Sequence, residues 1–212
     1  SLKVTHSDFF LAKKGIEVRG QNRDLSINNN DIWANRDVGI HYNGVNQHQG
    51  SICLNIITYS KKTLWFQNSE VLNVQINSNT LETNTIIYAY QTIFPEHIIL
   101  VEVNTGKYFG FVHIEGNNIE DHGTLIGSAM CKLVTTGGTI NQVGIVGGEL
   151  SGAPDPSYGI ELNSTAGGVI TNISATGVAI SGYYAMNVVG DAGTVMMVGC
   201  EHPYGRIFRA DG

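Results

Sequence analysis

The sequence predicts an all-β fold in which parallel strands form a right-handed β-helix, a solenoid with irregular coils of roughly 25–30 residues plus insertions. Three observations lead to this prediction. The composition favours strands and turns, a six-residue pattern recurs along the chain, and a β-rich run follows each copy of the pattern at a similar distance.

The composition is that of a β-rich domain with a sizeable core. Apolar residues make up 42% of the 212 positions, charged residues make up only 14%, and there are 26 glycines. Valine, isoleucine, threonine, asparagine and glycine favour strands and tight turns over helices. The apolar content is too high for a disordered chain, and the length suits one domain or at most two small ones.

Charge and hydropathy exclude two classes of partner. The formal net charge is −6, and lysines and arginines form no run longer than the pairs at 13–14 and 61–62. Nucleic-acid binding requires a basic patch, so we expect no nucleic-acid partner. No apolar run reaches the ~18 residues of a membrane-spanning helix, so we expect no membrane insertion.

The repeated pattern has apolar residues at its first and sixth positions. Its copies begin at Ile27, Ile76, Ile114, Ile145 and Ile173. Their fourth positions are Asn30, Asn79, Asn117, Gly148 and Thr176. Asparagine and glycine tolerate the left-handed backbone of a sharp turn, and asparagines stacked about 4.8 Å apart would hydrogen-bond to each other. We therefore interpret this column of residues as a structural turn and not as a catalytic site.

The spacing of the copies defines the coils. Successive copies begin 49, 38, 31 and 28 residues apart, and the next strand begins 11 to 15 residues after each start. The residue two positions before the start is apolar in four of the five copies, as alternation toward a core requires. The 49-residue interval leaves room for a whole additional coil. We predict a leading segment at 1–20, a parallel β-helix at 21–200 and a terminal segment at 201–212.

Three stretches, at 76–81, 111–119 and 168–174, resemble the parallel β-helix proteins of bacteriophage tails: tailspikes, preneck appendages and capsule depolymerases. Pectate-lyase-like enzymes, polygalacturonases and adhesins share the same coil pattern. The resemblance implies a homotrimer in the virion that binds polysaccharide on the host surface and in some members cleaves it. One departure is that the segment 1–20 shows neither the capping helix nor the glycine-rich, proline-containing start that is usual in tailspikes.

Glu120, Asp121 and Glu149 are the candidate catalytic carboxylates, with His122 beside them as a possible acid, base or substrate ligand. Glu149 aligns with Asn118 of the preceding coil, so strand geometry places the carboxylates about 8–11 Å apart. Glycoside hydrolysis by inversion uses carboxylates about 6.5–9.5 Å apart. The alternative interpretation is that 120–123 is a charged, solvated turn.

Trp33, Trp65 and Tyr183 are the candidate substrate-binding aromatics, because ring faces pack against the apolar face of a sugar. Trp33 follows an inward-facing isoleucine, so alternation directs its side chain outward. The alternative for Trp33 is burial against a neighbouring subunit.

Taken together, these observations predict a phage tailspike or appendage domain that binds host-surface polysaccharide as a homotrimer, located in the virion. The alternatives are a polysaccharide-degrading enzyme on the same fold or a secreted bacterial adhesin. Among enzymes, a glycoside hydrolase is favoured over a lyase, because Arg19, Lys107 and Lys132 form no cluster with acidic residues. No metal-ligand or cofactor motif occurs in the sequence, so we expect neither.

Overall fold

The computed structural model describes residues 2–83, 86–88, 91–93, 96–121, 129–151, 158–181, 183–203, 205 and 207–211. Across these residues the regular structure consists of 24 β-strands and no helix. The strands are β1 (Leu2–Thr5), β2 (Asp8–Phe10), β3 (Lys14–Asn28), β4 (Asp31–Trp33), β5 (Val38–Cys53), β6 (Ile56–Thr58), β7 (Lys62–Gln67), β8 (Glu70–Leu72), β9 (Val74–Asn77), β10 (Thr80–Thr83), β11 (Ile86–Tyr88), β12 (Gln91–Ile93), β13 (His97–Asn104), β14 (Tyr108–Glu115), β15 (Asn118–Asp121), β16 (Ala129–Thr136), β17 (Thr139–Val146), β18 (Glu149–Ser151), β19 (Tyr158–Thr165), β20 (Val169–Thr176), β21 (Ala179–Ile180), β22 (Tyr184–Val189), β23 (Val195–Val198) and β24 (Phe208–Asp211).

These strands form one sheet of 15 strands, one of seven and one of two. Every strand pairing in the two large sheets is parallel, whereas β11 and β12 form an antiparallel pair. The seven-stranded sheet runs in the order β2-β4-β6-β10-β15-β18-β21, so each strand pairs with its equivalent in the next repeat. The prediction of an all-β fold with long parallel sheets is confirmed, and the architecture is compatible with a parallel β-helix.

The interval between the first two predicted copies contains a complete further repeat. Ile52 pairs with Ile27 on one side and with Ile76 on the other. The segment 52–57 follows the same pattern, with Asn55 at its fourth position. Its outward-facing positions include the exposed Leu54 and Ile56, and these apolar residues obscure the alternation in the sequence.

The predicted alignment of the last copy is wrong by two residues. Ile145 pairs with Ala175, whereas Ile173 pairs with Val143. Val178, and not Thr176, therefore takes the position equivalent to Gly148. Both Ile173 and Ala175 face the core, and matching isoleucine to isoleucine selected the wrong member of this inward-facing pair.

The parallel ladders also extend beyond 21–200. Strands β1 and β2, within the predicted leading segment, pair with β3 and β4. Strand β24, within the predicted terminal segment, pairs with β22. The segments at both ends therefore continue the two large sheets.

The left-handed residue of each turn precedes the asparagine position, contrary to the prediction that the asparagine itself takes this conformation. All eight equivalent residues have φ between 53° and 62°. They are His6, Asn29, Leu54, Ser78, Gly116, Gly147, Gly177 and Gly199. The asparagines therefore contribute to the turns through their side-chain amides and not through a left-handed backbone conformation.

Four buried asparagines form a continuous hydrogen-bonded ladder, as the column predicted. Nδ2 of Asn30 donates to Oδ1 of Asn55 at 3.0 Å, Asn55 donates to Asn79 at 3.0 Å, and Asn79 donates to Asn117 at 2.9 Å. The same three oxygens each accept the backbone N–H of the preceding asparagine. Each Nδ2 also donates to a backbone carbonyl of the preceding repeat. The ladder thus satisfies polar groups that the core would otherwise leave unpaired.

Gly148 ends this ladder for a steric reason. A Cβ at this position would lie 2.3 Å from the backbone oxygen of Asn117, and its φ is +80°. No asparagine can therefore continue the column at this level without moving the neighbouring backbone.

Substitution of a ladder asparagine tests its structural role. We expect Asn79→Ala to lower the free energy of unfolding by about 3 kcal/mol, because Asn55 and the carbonyl of Ile52 lose buried hydrogen-bond partners. Chemical denaturation measures this loss. The control is Asn77→Ala, the same substitution at a partly exposed side chain two residues away, for which we expect a change within about 0.5 kcal/mol. Equal losses in the two variants would contradict a special role for the ladder.

Candidate functional site

The outer face of the seven-stranded sheet brings several of the predicted site residues together. In each strand of this sheet one residue faces the core, and these residues align across the strands. From β4 to β21 they are Ile32, Ile57, Leu81, Ile119, Leu150 and Ile180. The residues on either side of this position point outward. One outward column runs through Phe10, Trp33, Thr58, Glu82, Glu120 and Ser151. Trp33 and Glu120 therefore share a face and a column.

Phe10 and Trp33 form an aromatic platform at one end of this column. Their rings stack with centroids 5.8 Å apart and an interplanar angle of 17°. They remain 57% and 43% exposed, respectively. The sequence predicted the outward direction of Trp33 but not Phe10, which lies in the predicted leading segment. The two rings together offer a wider flat apolar surface than Trp33 alone.

An acidic strip, consisting of Glu82, Glu120 and Glu149, lies further along the same face. Glu120 pairs directly with Glu82, and Glu149 pairs with Asn118, as the predicted alignment required. Nδ2 of Asn118 donates to Oε1 of Glu120 at 2.7 Å. Glu149 lies one strand and two residues from Glu120, a separation of about 8 Å between backbone positions.

Glu82 is a functional candidate that sequence reasoning missed. It lies six residues after Ile76, as Glu120 lies six residues after Ile114, so continuing the repeat alignment would have revealed it. Glu149 also borders an open groove of about 390 Å³ together with Glu201 and His202. Glu201 forms an isolated parallel β-bridge with Ala179, and Ala179 pairs with Glu149, so the groove extends across three successive repeats.

Two predicted residues cannot be placed in the site. The backbone of Asp121 ends β15 and pairs with Thr83, but its side chain lies outside the part of the structure that is described. His122 lies outside the described residues altogether. The predicted roles of both residues stay predictions.

Trp65 and Tyr183 belong to a different surface. Tyr183 directly precedes β22 of the 15-stranded sheet, and its ring contacts Tyr184 edge-on at 4.9 Å. Trp65 lies in β7 of that sheet, where its ring stacks on His41 with centroids 4.4 Å apart. Its Nε1 donates to Oε2 of Glu102 at 2.6 Å. The structure therefore does not bring these two aromatics to the aromatic platform.

The side chains around His41 form a fixed polar network beneath Trp65. His41 is 2% exposed, its Nε2 lies 3.1 Å from Oε1 of Gln67, and its Nδ1 lies 3.3 Å from Oε1 of Glu17. Burial lowers the pKa of His41, and nearby Lys14 lowers it further. A hydrogen bond from Lys14 is the main cause that lowers the pKa of Glu17 to about 2. At neutral pH this network therefore holds a neutral imidazole against a carboxylate.

Neither a cluster of metal-ligating side chains nor a membrane-spanning helix occurs among the described residues. Among them, no three histidine, cysteine, aspartate or glutamate side chains lie close enough to share a metal ion. The part of the chain that is described also contains no helix able to cross a membrane.

Comparison of the chain with family models, with characterised proteins and with solved structures finds no match.

Proposed function

We propose that the chain forms a right-handed parallel β-helix. Three features support this fold: the parallel pairing of successive repeats, their in-register stacking and the continuous asparagine ladder. The right hand follows from general stereochemistry, since connections between parallel strands of one sheet are right-handed in about 98% of cases.

On this fold, the function that the geometry supports best is binding of host-surface polysaccharide by a tailspike or appendage of a phage virion. The observation that carries the proposal is the aromatic platform and the acidic strip on one exposed sheet face. Stacked rings pack against the apolar faces of sugars, and carboxylates accept hydrogen bonds from sugar hydroxyls. Equivalent side chains repeat about every 4.8 Å along the face, so an extended glycan would meet several of them at once.

The aromatic platform provides the direct test of polysaccharide binding. We expect Trp33→Ala to weaken binding at least about tenfold, because it removes the larger ring of the platform. Binding is measured by surface plasmon resonance against an immobilised panel of purified bacterial capsular polysaccharides and wall teichoic acids.

The matched control is Phe111→Ala, which removes an aromatic ring that is also 43% exposed but lies in β14 of the other large sheet. This variant should bind as the unaltered protein does. If no polysaccharide of the panel binds, or if Trp33→Ala binds normally, the proposed role of this face is wrong.

Cleavage of the same polysaccharide is the second candidate function, favoured by the spacing of Glu120 and Glu149. Their backbone positions are about 8 Å apart, a spacing from which the two carboxyl groups can reach the separation of about 6.5–9.5 Å that inverting glycosidases use. We expect Glu149→Gln and Glu120→Gln each to reduce release of reducing ends at least about 100-fold if the strip is catalytic. Asp121→Asn tests the third predicted carboxylate in the same assay.

Glu115→Gln is the control for catalysis, because it changes an exposed carboxylate in β14 of the other large sheet, outside the acidic strip. This variant should retain activity. Release of no oligosaccharide from any bound polysaccharide would remove the enzyme hypothesis and leave the binding function in place.

We further propose that the chain assembles as a homotrimer, the state that the resemblance to tailspikes implies. Apolar side chains exposed on strands β17, β20 and β23 supply surface for such contacts; they are Val146, Val169, Met196 and Val198. Sedimentation velocity at micromolar concentration should give a mass of about three chains, since exposed apolar patches of this kind mark interfaces. A monomer under these conditions contradicts the proposal.

A further inference from the structure

A polar groove on the 15-stranded sheet arises where successive repeats change length. Gln67 of β7 pairs with Glu102 of β13, and further along Val71 pairs with Phe109. Between Gln67 and Val71 the chain has three residues, 68–70. Between their partners Glu102 and Phe109 it has six, 103–108. The shorter connection turns at once through Asn68, with φ of 48°, while β13 continues to Asn104. The longer repeat therefore projects past the shorter one and leaves a step.

The step encloses a groove of about 410 Å³, called here the step groove. Its polar lining is supplied by Asn43, Gln67, Asn68, Glu102, Asn104 and Thr136. Ligand sites in proteins usually occupy about 300–1,000 Å³ and position their ligand with a few fixed polar groups. The size of the step groove is that of a small-molecule site, and its polar lining suits a hydroxylated ligand.

Several of the polar groups in the step groove are held in place by neighbouring side chains. Oε1 of Gln67 lies 3.1 Å from the buried His41, which leaves Nε2 of Gln67 as the donor of that amide. Oε2 of Glu102 accepts the indole N–H of Trp65, which leaves Oε1 as an acceptor. Oδ1 of Asn68 is buried and has no hydrogen-bond partner among the described residues. Asn68 also lines the groove, where its side chain can hydrogen-bond to a ligand hydroxyl.

We propose that the step groove binds one neutral or cationic sugar residue, a hexose or a hexosamine, an inference that rests on the proposed recognition of carbohydrate. Sugar hydroxyls both donate and accept hydrogen bonds, so they can pair with the amides of Gln67 and Asn68 and with the carboxylate of Glu102. The groove lining contains one acidic group and no basic group. A uronic acid would therefore place its carboxylate against Glu102 without compensation.

Trp65 provides a reporter for this site. The chain has two tryptophans, Trp33 and Trp65, so Trp33→Phe leaves Trp65 as the only one. A sugar that bonds to Glu102 changes the polarity around the Trp65 indole, which donates to the same carboxylate. The probes are the methyl glycosides of glucose, galactose, mannose and glucosamine, each compared with glucuronate and galacturonate.

In the Trp33→Phe protein we expect at least one neutral or amino glycoside to give a saturable change in Trp65 fluorescence. Both uronates should bind at least about tenfold more weakly, a difference that Glu102→Gln should remove because it keeps the shape and loses the charge. Asn68→Gly keeps the left-handed backbone and removes the side-chain amide that lines the groove, so it should weaken binding about tenfold. Glu115→Gln, which changes an exposed carboxylate on β14, is the control and should alter nothing.

Absence of any saturable change with every glycoside overturns the proposal, as does uronate binding as tight as that of the neutral sugars. The polysaccharide panel separates this failure from failure of the proposed function. One outcome rejects the step-groove proposal and keeps the proposed function. In that outcome Trp33→Ala weakens polysaccharide binding, Asn68→Gly and Glu102→Gln leave it unchanged, and no glycoside binds. If the unaltered protein binds no polysaccharide, the proposed function fails, and the Trp65 titration still reports on the step groove itself.

Discussion

The buried asparagine ladder is the interaction on which the alignment of the repeats depends. The two inner amides, Asn55 and Asn79, each donate one N–H to the next amide oxygen and one to a backbone carbonyl, and each of their oxygens accepts from the preceding asparagine. A slip of one residue between two repeats would break these bonds and would turn every core side chain outward. The ladder therefore fixes which residues of distant repeats become neighbours on the surface.

The stacked and paired side chains of the candidate surfaces are a consequence of that alignment. The stacking of Phe10 on Trp33 and of His41 on Trp65 joins residues that are adjacent only because their strands pair in register. The pairing of Glu82 with Glu120 arises in the same way. A regular stack of strands yields columns of like residues, which suit binding of an extended, repetitive ligand.

The step groove, by contrast, arises because neighbouring repeats differ in length. A solenoid of equal repeats has flat or gently curved faces, so a pocket requires repeats of different length. The three additional residues between Glu102 and Phe109 produce such a change, and polar side chains collect at the step. The flat face and the step groove are thus complementary kinds of surface, one extended across many strands and one concave.

The sequence by itself determined the all-β class, the asparagine column, the outward direction of Trp33 and the pairing of Glu149 with Asn118. These properties follow from local alternation and from a repeat whose anchor residues remain recognisable. Only the tertiary structure revealed that 52–57 is a repeat and that the alignment shifts by two residues at Ile173. It alone also revealed that Phe10 stacks on Trp33 and that Glu102 accepts a hydrogen bond from Trp65. The physical reason is that inward positions two apart are equivalent in hydrophobicity, whereas register is set by hydrogen bonds and close contacts between repeats. The sequence does not display those contacts.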